Sequence, residues 1–118
     1  MFRKGGIIAS PGDRRDEDIE KLGYLSGMMF DKIIIRHDKE DRGRASDEIT
    51  KLLLKGVRSA AADKQVIVIP DEIQAMEWCM INCAKGAFIV ACTEEVQASI
   101  QYLTHEKNKE TLSISTCQ

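Results

Sequence analysis

No apolar run in this 118-residue chain approaches the roughly 20 residues that span a bilayer, which excludes an ordinary membrane helix. Met1-Phe2-Arg3-Lys4 leads straight into a first apolar segment without the pattern of a secretory leader. These two absences predict a cytoplasmic protein. There is no Cys-x-x-Cys pair: the cysteines are Cys79, Cys83, Cys92 and Cys117, remote in sequence from His37 and His105. The reading is therefore reduced thiols acting as small apolar side chains, with no metal site. No G-x-x-x-x-G-K-[ST] loop occurs, nor any Gly-Lys dipeptide, nor a Ser-His-Asp or Cys-His nucleophile arrangement. By itself the chain shows no machine for hydrolysing ATP. Repeats and interdomain linkers are missing too. A net charge of −2 gives no bulk attraction to nucleic acid or to a membrane surface.

What is present is 43% apolar and 31% charged residues, the composition of a single globular domain with one modest core. Apolar segments of strand length, rich in Ile and Val, lie at residues 6–10, 32–36, 65–69 and 87–92. They do not alternate with polar residues, which suits parallel strands covered on both faces. Between them run helical spacings: Ile19, Leu22, Leu25, Met29; Ile49, Leu52, Leu53, Val57; Ile73, Met76, Met80, Cys83; and Val96, Ile100, Leu103. Ser46 before Asp47-Glu48, Asp71 after Pro70, and Thr93 before Glu94-Glu95 mark helix starts. The order βαβαβαβα predicts a three-layer, Rossmann-like α/β fold, with a mainly parallel sheet of about four strands and helices on both faces. Residues 1–104 form this domain. Residues 105–118 are read as a polar, partly disordered tail, in which Leu112-Ser113-Ile114 could add an edge strand.

All seven arginines lie in the first half of the chain, and Arg14, Arg15, Arg36, Arg42 and Arg44 sit in or beside two loops. In such a fold these loops meet at the carboxyl ends of the strands, where ligands bind. Ser10-Pro11-Gly12-Asp13-Arg14-Arg15 reads either as a turn with a helix start or as an anion contact through the two guanidinium groups and nearby N–H groups. Asp16, Glu17 and Asp18 already complement the dipole of the helix that follows, so an anion there would rely on the arginines, and the acids could equally hold a cation. Arg42-Gly43-Arg44 reads either as a solvated connection or as a carboxylate-binding pair. Pro70-Asp71-Glu72 is read as a helix cap, and Trp78 as packing.

The strings PGDRRDEDI, FDKIIIRHDKEDRGRASDEI, VIPDEIQAM and FIVACTEEVQ, in this order from about Gly6 to Leu103, resemble the C-terminal domain of cyanophycin synthetase, a domain of the Mur-ligase type. Cyanophycin synthetase uses ATP to build a polymer of aspartate and arginine. Its Mur-ligase-like part activates a carboxylate as an acyl phosphate, which an incoming amine then attacks. The C-terminal domain closes over a central P-loop ATPase domain and helps place nucleotide and amino acid. The resemblance implies that Gly12, Asp13, Arg14, Arg15 and Asp16 face the nucleotide phosphates, and that Arg42, Gly43 and Arg44 hold the carboxylate of the incoming amino acid. If that amino acid is arginine, the acids of the first loop offer its guanidinium a place. ATP and Mg would act only within a full-length ligase, with neither held tightly by this chain.

Family members carry a further strand and helix, with an Asp-Tyr-Ala-His-Asn-Pro-like segment, before the region that begins here at Met1. Without that unit, sheet edge and apolar surface would be uncovered, which predicts a homodimer, or an ATPase domain supplied in trans. Three functions compete: a ligase domain that does not catalyse alone, a stand-alone anion- or nucleotide-binding module, and a self-associating structural remnant.

Overall fold

Ile7, Ile33, Ile34 and Ile35 are fully buried, and Ile8 nearly so, because each of their strands is covered on both faces. The computed structural model describes residues 2–10, 12, 14–37, 45–93 and 113–116. Its elements are β1 (Phe2–Ile8), α1 (Asp16–Met29), β2 (Lys32–Ile35), α2 (Ser46–Ala60), β3 (Val66–Val68), α3 (Glu72–Asn82), β4 (Cys83–Thr93) and β5 (Ser113–Thr116). The strands form one parallel sheet in the order β3-β2-β1-β4-β5. The three-layer α/β architecture expected from the apolar pattern is therefore present. The fifth strand lies where Leu112-Ser113-Ile114 hinted at an edge. The expected fourth helix, around Val96, Ile100 and Leu103, falls outside the described residues.

Alternation along the strands divides the core in two. Ile7 and Ile34 join Ala75, Met76 and Cys79 of α3, with Ala87, Ile89 and Ala91 of β4. Ile8, Ile33 and Ile35 join Ile19 of α1, Phe30, and Ile49, Leu53 and Val57 of α2 on the opposite face. Two strands start earlier than their apolar runs. Phe2 pairs with Cys83, and the register then shifts before Lys4 pairs with Phe88. The extra length in β4 is absorbed around Gly86, whose φ of 76° only glycine adopts cheaply. Lys85-Gly86 does not look like strand, which is why the pattern placed the start later.

The α1 face needs correction. Ile19, Gly23, Ser26 and Gly27 are buried, whereas Leu25 and Met29 are 45% and 60% exposed. Small residues, not the leucine–methionine stripe, meet α2 because the two backbones touch. A Cβ on Gly23 would land on the Leu53 carbonyl, and one on Gly56 would reach the Glu20 carbonyl and come within 2.8 Å of the Tyr24 nitrogen. The Ser26 hydroxyl is satisfied within its helix, donating to the Leu22 carbonyl at 2.8 Å.

Helix starts follow sequence chemistry in one case and depart from it in another. Asp71 caps α3, its carboxylate accepting from the Gln74 N–H at 2.9 Å. Ser46 is the first residue of α2, and the flanking Ala45 has no capping oxygen, so Asp47 and Glu48 in the first turn supply the favourable charge. Cys79 and Cys83 do not share a helix as their spacing implied, since Cys83 opens β4. Both are free and buried, and burial, with a smaller effect of Cys83, pushes the Cys79 thiol up to about 12. That keeps it protonated and apolar in character. No helix among the described residues is long and apolar enough to cross a membrane.

Candidate functional site

From β1 the sheet grows one way through β2 and β3 and the other way through β4 and β5, so the topological switch point lies between β1 and β4. In open α/β sheets the ligand crevice lies outside the carboxyl ends of the strands at this point. The connection from β1 to α1, residues 9–15, leaves the sheet there. Its first part is tightly held, with Ala9 and Ser10 at 4% and 5% exposure and Gly12 also buried. Arg14, Arg15 and Asp16 are exposed beyond it. The fold thus brings Gly12, Arg14, Arg15 and Asp16 together at the switch point. Asp13, Arg42, Gly43 and Arg44 lie outside the described residues.

Arg15 flanks α1 and makes no side-chain cap, but its carbonyl accepts from the Asp18 and Ile19 N–H groups at 3.0 and 3.1 Å. Its guanidinium turns to the acids of the first turn. Nε lies 3.2 Å from Asp18 Oδ2 and 4.0 Å from Glu17 Oε2. The hydrogen bond to Asp18 raises the Arg15 pKa, and the same bond holds the Asp18 carboxyl below the ordinary aspartate value. Because the pair is well exposed, its energy is small. The sign is nevertheless fixed. A depressed carboxyl contributes stability above the ordinary aspartate pKa and loses it as pH falls through the lowered value. We expect NMR titration to show Asp18 ionising below ordinary aspartates, and Arg15→Ala to return it towards them. An unchanged midpoint in that variant would show that the bond does not form in solution.

Among the described residues, sequence pattern missed one ion pair that is well enclosed. Arg36 follows the last isoleucine of β2, and its Nε lies 3.3 Å from Glu72 Oε1 in the first turn of α3, with side chains only 3% and 10% exposed. Arg36 Nη1 also donates to the His37 carbonyl at 3.3 Å. Main-chain bonds cross at the same place: Arg36 N–H donates to the Ile8 carbonyl at 3.0 Å, and His37 N–H to that of Pro70 at 3.2 Å. This ion pair ties the exits of β1, β2 and β3 into one frame beneath the ligand edge. Arg36 is therefore a fixed structural charge and not an exposed loop arginine. An arginine closing a run of three isoleucines was the available clue.

No protein-family model matches this chain. It is 35% identical over 98 residues to a cyanophycin synthetase of Crocosphaera subtropica, a match that covers 83% of this chain and 11% of that protein. With the cyanophycin synthetase of Geminocystis herdmanii it shares 37% identity over the same fractions. A UDP-N-acetylmuramyl-tripeptide synthetase of Borreliella burgdorferi is 30% identical over 89% of this chain and 21% of its own length. The chain thus matches about a tenth of the cyanophycin synthetases' length. Over most of its own length it is a homologue of one short segment of the cyanophycin synthetases and, at greater distance, of the tripeptide-adding Mur ligases.

Proposed function

We propose that this chain is a C-terminal domain of the cyanophycin synthetase and Mur-ligase type, which positions nucleotide phosphate and an incoming amino acid for ATP-dependent amide formation and does not catalyse by itself. The observation that carries the reading is that Gly12, Arg14, Arg15 and Asp16 follow β1, the strand at which the sheet order reverses. There, a buried glycine and an exposed Arg14 suit the approach of an anionic group. Arg15 would meet such a group in competition with Asp18 and Glu17, which already engage it. Asp18 is correspondingly less able to hold a substrate guanidinium than its place in sequence implied. Among the described residues no group of three or more acids, histidines or cysteines is placed to hold a metal ion. Any Mg would come with the ATP and be held mainly by the ATPase part. Arg42 and Arg44 complete the proposal as carboxylate ligands.

The test supplies the missing part. A cyanophycin synthetase lacking the matching segment should regain ATP-dependent ligation when this chain is added in trans. Arg14→Ala should reduce the regained rate at least tenfold, in line with loss of a charge-assisted contact of about 1.5–3 kcal/mol. Failure to restore any ligation, with nucleotide still bound, would favour the stand-alone binding module. We also propose a cytoplasmic homodimer, supported by the exposed Tyr24, Leu25, Met28 and Met29 on α1. A strictly monomeric mass in light scattering at high concentration would contradict the dimer.

A further inference from the structure

At the amino ends of the strands, opposite the ligand edge described above, lies a cavity of about 310 Å³ lined by Phe2, Asp31, Lys32, Gln65, Trp78 and Asn82. It is large enough to admit a small molecule. The only tryptophan of the chain is here, half-buried and stacked on Phe2 with ring centroids 6.0 Å apart and planes within 5°. Lys32 Nζ lies 5.4 Å from the Trp78 ring centroid and donates to Gln65 Oε1 at 2.8 Å.

The polar atoms of this wall keep unused hydrogen-bonding capacity. Lys32 retains ammonium hydrogens beyond the one given to Gln65, and the Gln65 amide N–H groups have no partner among the described residues. These are donors for a carboxylate. Asp31 uses Oδ2 to accept from the Lys4 N–H at 3.1 Å, and Asn82 uses Nδ2 to donate to the Trp78 carbonyl at 2.8 Å. Their Oδ1 atoms remain as acceptors for an ammonium group. The cavity also sits at the carboxyl end of α3, whose last turn carries no basic residue, so a cation is favoured there. Donors on one side, acceptors on the other and a flat apolar wall match a zwitterion with an apolar side chain. A simple acid or amine would engage only half of these groups and leave the rest to water.

We propose that this cavity binds a free amino acid with a flat apolar side chain, its carboxylate on Lys32 and Gln65, its ammonium on Asp31 and Asn82, and its side chain against Phe2 and Trp78. This site is independent of the carboxyl edge and of the function proposed for it. Because Trp78 is the sole tryptophan, its emission reports occupancy directly.

The experiment titrates L-phenylalanine, phenylacetate and phenethylamine separately into the intact chain, following Trp78 fluorescence and the amide shifts of Phe2, Lys32, Gln65 and Asn82. The zwitterion is expected to saturate the response and to bind about tenfold more tightly than either single-charge analogue, the factor that one added contact of about 1.4 kcal/mol provides. Lys32→Met and Asp31→Asn should each weaken L-phenylalanine binding severalfold with circular dichroism unchanged. No saturable response to L-phenylalanine into the tens of millimolar would overturn the proposal. So would equal affinity for all three compounds, which would mark a non-specific apolar contact. If a variant fails to fold, the comparison of the three ligands on the unaltered chain still decides.

Discussion

Replacing Arg36 with methionine is expected to lower unfolding stability by about 3–5 kcal/mol, because it removes the cation that offsets the Glu72 carboxylate where only 10% of that side chain meets solvent. Glu72→Gln should destabilise in the same direction by removing the anion that offsets the guanidinium, although Nη1 keeps its bond to the His37 carbonyl. Attraction within the pair is not the source of the effect. Burying two charges is itself costly, and a well-made buried pair roughly breaks even against apolar residues of similar volume. The double variant Arg36→Met/Glu72→Leu should therefore be less destabilised than either single one, a non-additivity that urea denaturation can measure. A single-variant loss below about 1 kcal/mol would mean that water reaches the pair, as at an exposed salt bridge. The same frame carries the exits of β1 and β2, so loss of the pair should also disturb the amides of Ile8 and His37, whose neighbourhood it shares.

Gly56→Ala on α2 should destabilise the fold by at least about 1–3 kcal/mol, the usual cost of overpacking. Helix propensity alone points the other way, since alanine is favoured over glycine by about 1 kcal/mol in a helix interior. Packing decides the sign. The new Cβ would collide with the Glu20 carbonyl and lie 2.8 Å from the Tyr24 nitrogen, and both are backbone atoms that cannot rotate aside. Gly23→Ala meets the Leu53 backbone in the same way. Relief would require α1 and α2 to separate along the line of Gly23, Gly27 and Gly56. Thermal melts of both variants should show lowered midpoints. A raised midpoint would show that the helices can part at little cost and that the backbone contact is not a constraint.

These two regions also show what could be read from residues alone. The parallel sheet was legible because Ile33-Ile34-Ile35 and Ile7-Ile8 lack alternation, a pattern left only by burial on both faces. Asp71 was legible as a cap because its role needs only its own carboxylate and the chain three residues on. The inward face of α1 was not, because hydrophobic spacing rewards Leu25 and Met29 and gives no weight to glycine, and the choice of Gly23 and Gly27 depends on how closely α2 approaches. The early start of β4 was hidden by Lys85-Gly86, where a bulge, and not a turn, accommodates the glycine. At the candidate site, charge clustering drew attention to Arg14, Arg15 and Asp16, which follow β1 in the chain and are exposed. It could not tell that Arg15 turns back to Asp18, or that Arg36 is enclosed with Glu72, because both depend on side-chain direction and on contacts between distant parts of the chain.

The central claim is that the β1/β4 switch point takes nucleotide phosphate. It is tested most directly by titrating ATP into the ¹⁵N-labelled chain and mapping the amide shifts, with Arg14→Ala as the control. The account predicts saturable shifts concentrated in residues 9–18, spreading to His37 and Glu72 through the shared frame, and largely lost in the Arg14 variant. Saturable shifts elsewhere, or none at the β1–α1 connection of a well-folded sample, would contradict it.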